Sequence, residues 1–245
     1  MKKLLITSTL LALLPTMVMA KDYKNEHEVD GSIAAGLDWY EGNTDKLNYN
    51  LDTRIDHTYG RWGNVLEGNA LNTSDSSIRS GEKYRAAWQP RYELSDRDYL
   101  FGEAEYIKDR FSGYKYRMNG LLGYGRIFID NDSVIKGGDH VFWSGEASLG
   151  ARQSEDDLGI EETDFIQRLA TRFVWDINDR VTFIEDANYT FGDSFDEAHS
   201  KTNLKVKMSD KLFLNLGYDI DWISDVPAGT ENTDQHGYVQ LGYDF

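Results

Sequence analysis

The sequence predicts an all-β protein: a single antiparallel transmembrane β-barrel of roughly twelve strands. Three observations carry that expectation. Apolar and polar residues alternate with period two over most of the chain, as in Leu47–His57, where Leu47, Tyr49, Leu51, Thr53, Ile55 and His57 oppose Asn48, Asn50, Asp52, Arg54 and Asp56. The connections between such segments alternate between tight and long, as outer-membrane barrels do with short periplasmic turns and longer outer loops. The chain then ends on Val239, Leu241, Tyr243 and Phe245, an alternating strand with a terminal aromatic.

Composition excludes other classes. Apolar residues are 40 % of the 245, under the usual 45–50 %, and mean hydropathy is −0.58. Beyond residue 20 the sequence has no apolar run long enough for a transmembrane helix. Aromatics reach 13 %, with 22 Gly and only 3 Pro, which suits strands whose apolar residues occupy every second position. The absence of Cys excludes disulfides, thiol chemistry and cysteine-ligated metal. A net charge of −16 argues against nucleic acid as a partner.

Residues 1–20 read as a secretory signal peptide: Lys2 and Lys3 precede the apolar run Leu4–Leu14, and Val18 and Ala20 satisfy the small-residue rule for cleavage. Losing those two lysines takes the net charge to −18. Residues 21–30 form an N-terminal periplasmic tail and 31–245 the barrel. Its strands are expected near 31–41, 46–57, 62–72, 82–94, 99–109, 114–128, 140–152, 163–175, 181–191, 200–208, 212–223 and 236–245. A tilted membrane-spanning strand needs about 9–11 residues, which these spans supply. Tight turns fall at Tyr59-Gly60-Arg61, Ser95-Asp96-Arg97-Asp98, Asn178-Asp179-Arg180 and Ser209-Asp210-Lys211, with an Asp expected to cap its own turn. Longer acidic connections cover 72–81, 154–162, 192–198 and 223–235. Two connections blur the rule: 42–45 is a short outer loop and 130–139 a long periplasmic one.

The outer surface should be apolar with aromatic girdles. Trp39, Tyr92, Tyr99, Trp143, Trp175, Phe183, Tyr218, Trp222 and Tyr243 are the expected girdle residues. Pro90 in an outward position suggests a bulge. The inward rows carry charge. Bases dominate on four strands: Lys83, Arg85 and Arg91; Lys115 and Arg117; Arg168 and Arg172; Lys205 and Lys207. Acids dominate on the strands between: Glu103 and Glu105; Glu146; Asp186; Asp219 and Asp221. Basic rows therefore lie between acidic rows, where an ion-pair lattice would fill the lumen, or a charged lining would select solutes. The inward phase of the third, fifth and ninth strands is open, and Glu185 falls on the wrong face.

Enzymatic chemistry has little support. The five histidines are His27, His57, His140, His199 and His236, and only His199 and His236 lie near the outer rim beside acids such as Asp225 and Asp234. The sequence has no nucleophile-elbow motif. Glu155, Asp156, Asp157, Glu161 and Glu162 crowd one outer loop but lack the ordered spacing of a calcium loop. A solvated acidic loop is the expectation, with divalent cations shared with lipopolysaccharide as an alternative.

Several segments together resemble a known family. They are Gly42-Asn43-Thr44-Asp45, Tyr84-Arg85, Tyr92-Glu93-Leu94-Ser95-Asp96-Arg97 with Tyr99-Leu100-Phe101-Gly102, Asp109 through Arg117, and Asp225-Val226-Pro227-Ala228-Gly229. Over about residues 36–245 the chain resembles the salt-induced outer membrane proteins, the YdiY-like β-barrels. That resemblance implies an outer-membrane barrel and a link to osmotic or salt response, and it supplies no active site, cofactor or solute. The expected partners are outer-membrane lipid, lipopolysaccharide and the barrel insertion machinery, to which Val239, Leu241, Tyr243 and Phe245 would be the signal. The expected role is structural or envelope stress, with an ion-paired, largely closed lumen. A narrow channel for small polar or charged solutes is the alternative, and an outer-rim hydrolase using His236 a remote third.

Overall fold

The computed structural model describes residues 27–40, 46–75, 78–109, 114–132, 140–226 and 231–245. The signal peptide, the 42–45 turn, Arg110–Gly113 and Pro227–Gly229 lie outside the described residues, as does the side chain of Trp39.

The described strands are β1 His27–Tyr40, β2 Lys46–Tyr59, β3 Trp62–Asp75, β4 Ile78–Glu93, β5 Asp98–Asp109 and β6 Tyr114–Asp132. They continue as β7 His140–Asp156, β8 Glu161–Asn178, β9 Val181–Gly192, β10 Glu197–Lys207, β11 Leu212–Ile223 and β12 Thr233–Asp244. Each pairs antiparallel with its sequence neighbours, and β1 pairs with β12, so the sheet is a closed twelve-stranded barrel. Closure gives every strand a neighbour on each side, as a sheet crossing a lipid phase requires.

The distribution of side chains is inverted relative to a water-soluble domain. Leu51, Leu66, Leu100, Leu122, Leu149, Leu169 and Leu241 are exposed on the outer surface, while Arg117, Arg152, Arg168, Glu105, Thr190 and Gln240 are buried. Exposed leucine on every flank would make a soluble protein aggregate. The same surface is an apolar band for lipid.

β1 starts at His27, four residues before the sequence pattern placed it. His27 pairs with Tyr59, stacks on its ring at 4.4 Å and shares a 3.1 Å hydrogen bond with His57. The tight turns are capped differently from expectation. The first residue accepts, not the Asp within the turn. Ser95 Oγ accepts from the Arg97 and Asp98 amides at 3.1 and 3.0 Å, Asn178 Oδ1 from Arg180 and Val181, and Ser209 Oγ from Leu212. A short side chain at the first position is the one placed to reach the amides two and three residues on. Pro90 makes no bulge. β4 and β5 pair in one constant register from Lys83↔Asp109 to Glu93↔Tyr99, with a gap at Gln89 and Pro90. The gap is the ladder bond that a proline cannot donate.

The seam between β1 and β12 is short, running only from Ser32↔Asp244 to Ala35↔Leu241. It gains one reciprocal pair, Gly31 N to Phe245 O at 3.1 Å and Phe245 N to Gly31 O at 2.9 Å. A Cβ on Gly31 would collide with the Phe245 ring, 2.5 Å from Cε2, so glycine is what lets the terminal ring cover the seam.

Candidate functional site

The inward residues of the barrel make the site. On β4 they are Lys83, Arg85, Gln89 and Arg91, the face predicted by alternation, and β3 and β5 bring Glu67, Asn69, Glu103 and Glu105 beside them. Two cavities line up in the lumen. The larger, about 360 Å³, reaches the outer-loop residues Val226, Glu231 and Asn232; the smaller, about 130 Å³, lies toward Gln89, Arg91 and Glu146. Their walls share five charged side chains, Arg54, Glu67, Arg85, Arg172 and Asp186.

Those five belong to a belt of ion pairs at the waist. Arg54 donates to Glu67 and, at 2.7 Å, to Asp56. Arg85 bridges Glu67 at 2.8 Å and Glu105 at 2.6 Å. Arg168, on β8, reaches across two strands to Glu103 at 2.5 Å and Glu105 at 2.9 Å, and Asn119 donates to Glu105 at 2.7 Å. Arg172 meets Asp186 at 2.7 Å. The Arg172–Asp186 pair stands apart from this chain, close enough for Asp186 to attract Arg54 and for Arg172 to attract Glu67. Every member therefore has an opposite charge within reach, which is what makes burial of so many ions tolerable.

Above the belt, longer chords cross the outer cavity. Lys201 reaches Asp52 at 3.0 Å, where Gln240 also donates at 2.7 Å. Lys83 on β4 meets Asp221 on β11 at 2.5 Å, five strands apart around a twelve-strand circle. His199 Nδ1 lies 2.7 Å from the other Asp221 oxygen. Pairs that span so much of the circumference show how narrow the lumen is at that height.

The β6–β8 side is filled. Arg152, fully buried, binds Asp164 at 3.0 Å and Glu197 at 2.8 Å, and Arg117 binds Glu197 at 2.7 Å. The connection between β9 and β10, expected as one of the longer acidic outer connections, folds inward. Phe195 is buried, its carbonyl accepts from Arg152 at 2.7 Å, and the guanidinium sits 3.4 Å from its ring centroid. Ser194 donates to Asp164 at 2.6 Å, and Asp196 takes the Gly192 amide at 3.0 Å. A Cβ on Gly192 would strike Arg152 and the Phe195 carbonyl.

On the periplasmic side, Tyr99 is not a girdle residue. It is buried inside, donating to Glu146 at 2.6 Å, with Arg91 5.0 Å from its ring. A Cβ on Gly125, its cross-strand partner, would overlap the ring, which leaves Tyr99 room to lie flat against the inner wall. Tyr238 does the same over Gly217 and donates to Asp219 at 3.1 Å.

The remaining predicted positions fall outside the belt. Lys205 pairs with Asp244 at 2.7 Å near the periplasmic end. Lys207 is exposed there, and Lys115 is exposed at the outer rim on Glu155 at 2.7 Å. A register shift between Tyr114 and Tyr116 sets Lys115 apart from the Arg117 row. Glu185 does face outward, and the hydroxyls of Ser200 and Thr202 donate to it at 2.7 and 2.5 Å. In the acidic outer loop, Asp156 accepts from the Leu158 and Ile160 amides at 2.9 and 2.8 Å, so its carboxylate shapes the turn. Among the described residues, no group of three His, Asp or Glu is arranged to hold a metal ion. His236 stacks on Tyr238 at 5.1 Å.

Sequence reasoning missed Asp52, Arg54, Glu67, Arg152, Asp164, Glu197 and Lys201 as members of the network. For Asp52 and Arg54 the signal was present in the polar face of β2.

Comparison with known proteins agrees with the architecture. The solved structure of the NanC porin matches over 89 % of this chain and 99 % of its own, at a TM-score of 0.51 and 12 % identity, a likeness of fold. The uncharacterized protein YdiY of Escherichia coli K12 is 32 % identical over 218 residues, covering 87 % of this chain and 82 % of that protein. The family model described as "Protein of unknown function, DUF481" matches residues 33–245, and the chain belongs to that family.

Proposed function

We propose that this protein is an outer-membrane barrel with a structural or envelope-stress role, whose lumen is sealed at the waist by paired charges. One observation carries the reading: the walls of both lumen cavities share the same five charged side chains, and each of them is held in an ion pair, Arg54 and Arg85 with Glu67 and Arg172 with Asp186. A conducting pore lined by fixed charge leaves one sign free along the ion path. Here each guanidinium in the belt is committed to a carboxylate. The reading contains no catalytic step.

The test is single-channel conductance of the refolded mature chain in a planar bilayer over a salt series. Silence from a folded, heat-modifiable barrel is the expected result. Steady steps that scale with salt would overturn the sealed-waist reading. They would favour a narrow channel, the second reading, which draws support from the 360 Å³ outer cavity and from a fold shared with a porin.

A further inference from the structure

We propose that the outer cavity binds small zwitterions, molecules that carry an ammonium and a carboxylate on a short linker, by inserting them into the Lys83–Asp221 pair. This goes beyond the sealed-waist reading and holds whether or not the waist conducts.

The geometry rests on the Lys83–Asp221 chord of the outer cavity. Lys83 and Asp221 lie on nearly opposite walls, meet at 2.5 Å, and are a quarter to a third exposed to the cavity. Both line the 360 Å³ space, a volume within the range of small-molecule sites, about 300–1,000 Å³. A solute entering between these walls must part the pair. Parting it leaves two half-buried charges to be satisfied. A plain cation satisfies Asp221 and leaves Lys83 without its bonded partner, with Asp109 as the nearby carboxylate. A plain anion does the reverse, and a neutral solute offers each only a dipole. A zwitterion exchanges one ion pair for two: its ammonium donates to the Asp221 oxygen that Lys83 gives up, and its carboxylate accepts from Lys83.

The surroundings refine the order among other solutes. His199 holds the second Asp221 oxygen at 2.7 Å, so one oxygen is available for exchange. Asp109 and Asp234 also face Lys83, from β5 and β12, and Arg117 from β6, itself paired to Glu197. A released Lys83 therefore has Asp109 near it, while an anion meets two further carboxylates. The expected ranking is zwitterion, then cation, then anion. Because the two side chains touch, a ligand inserted between them needs its ammonium and carboxylate close together, which favours a short linker such as that of α- and β-amino acids.

The experiment is equilibrium dialysis of the refolded full chain in micelles against labelled β-alanine, with propylamine, propionate and propionamide as matched competitors. The expected result is saturable binding at one site per barrel, with each competitor at least about tenfold weaker. Lys83→Met and Asp221→Asn should each weaken β-alanine by about tenfold or more, and Lys83→Arg should hold it within about threefold. Heat-modifiability of each variant separates lost binding from lost folding, and Lys83→Arg keeps a folded comparison if the others fail. Equal binding of all four solutes, absence of saturation, or wild-type binding by Lys83→Met and Asp221→Asn would overturn the proposal. Conductance of the same preparation reports on the waist independently, so failure of one reading leaves the other measurable.

Discussion

Arg152 shows how much one side chain organises here. It is fully buried, pairs with Asp164 and Glu197, and holds the Phe195 carbonyl and ring. Arg152→Met nearly keeps the volume, strips the almost fully buried Asp164 of its cation and leaves Glu197 to Arg117 alone. Removing one partner of such a pair costs about 3–5 kcal/mol. The β9–β10 connection should then swing free, read as rapid proteolysis between Asp193 and Asp196 in a barrel that still resists cleavage elsewhere. Unchanged protease resistance would mean that Ser194 and Asp196 hold the segment without the arginine. The sequence made the row of Arg152 readable, since it continues the inward phase of Glu146 on β7, but not its partners. Alternation tells which face a charge occupies. It does not tell which charges on strands further round the barrel, such as Glu197 three strands away, stand at the same height, because that depends on strand tilt and stagger. Glu67 was harder still: β3 places apolar Val65 and Leu71 inward beside it, which blurs the period.

At the level of elements, alternation was enough for strand number, and turn chemistry was legible in position but not in mechanism. Ser95 is the clearest case. It is buried, its hydroxyl accepts two amides and donates to Asp98 at 2.8 Å, and Asp98 in turn receives Tyr124 and Arg126 from β6. Ser95→Ala should cost about 1–2 kcal/mol, since buried amides lose their acceptor; Asp96→Ala, at an exposed position without that task, should cost little. Urea midpoints of the two refolded variants in the same lipid check the contrast, and equal losses would return the cap to the aspartate. The seam is a second element with a definite weak point. Gly31→Val sets a branched side chain where the Phe245 ring lies, beside a ladder of only four pairs plus the terminal one. Slower insertion and a lower urea midpoint are expected. Phe245→Ala combined with Gly31→Val should recover part of the loss, because the clash is with the ring; absence of recovery would place the strain in the backbone.

For the whole molecule, the deciding question is what the waist belt does with its charge. The outer cavity is lined by ten carboxylates and eight Lys or Arg side chains, so the lumen is close to balanced with a slight acidic excess. Opening the belt from either side should therefore give opposite ion preferences. Replacing Glu67, Glu103 and Glu105 by Gln leaves Arg85 and Arg168 unmatched and Arg54 with Asp56 alone, and anions should carry the current. Replacing Arg54, Arg85 and Arg168 by Gln leaves the three glutamates, and cations should carry it. Reversal potentials in a KCl gradient read the sign directly. Both sets strand buried charge, at about 3–5 kcal/mol for each broken pair, so folding of each is verified first by heat-modifiability. Water entering the opened waist lowers that cost, because the stranded ions regain hydration. Preference of the same sign in both variants would mean that current follows a path governed by the acidic outer loops and not by the belt. Opposite signs, set against a silent wild type, would mean that ion pairing is itself the seal: the charges that could select a solute are neutralised by their ion-pair partners.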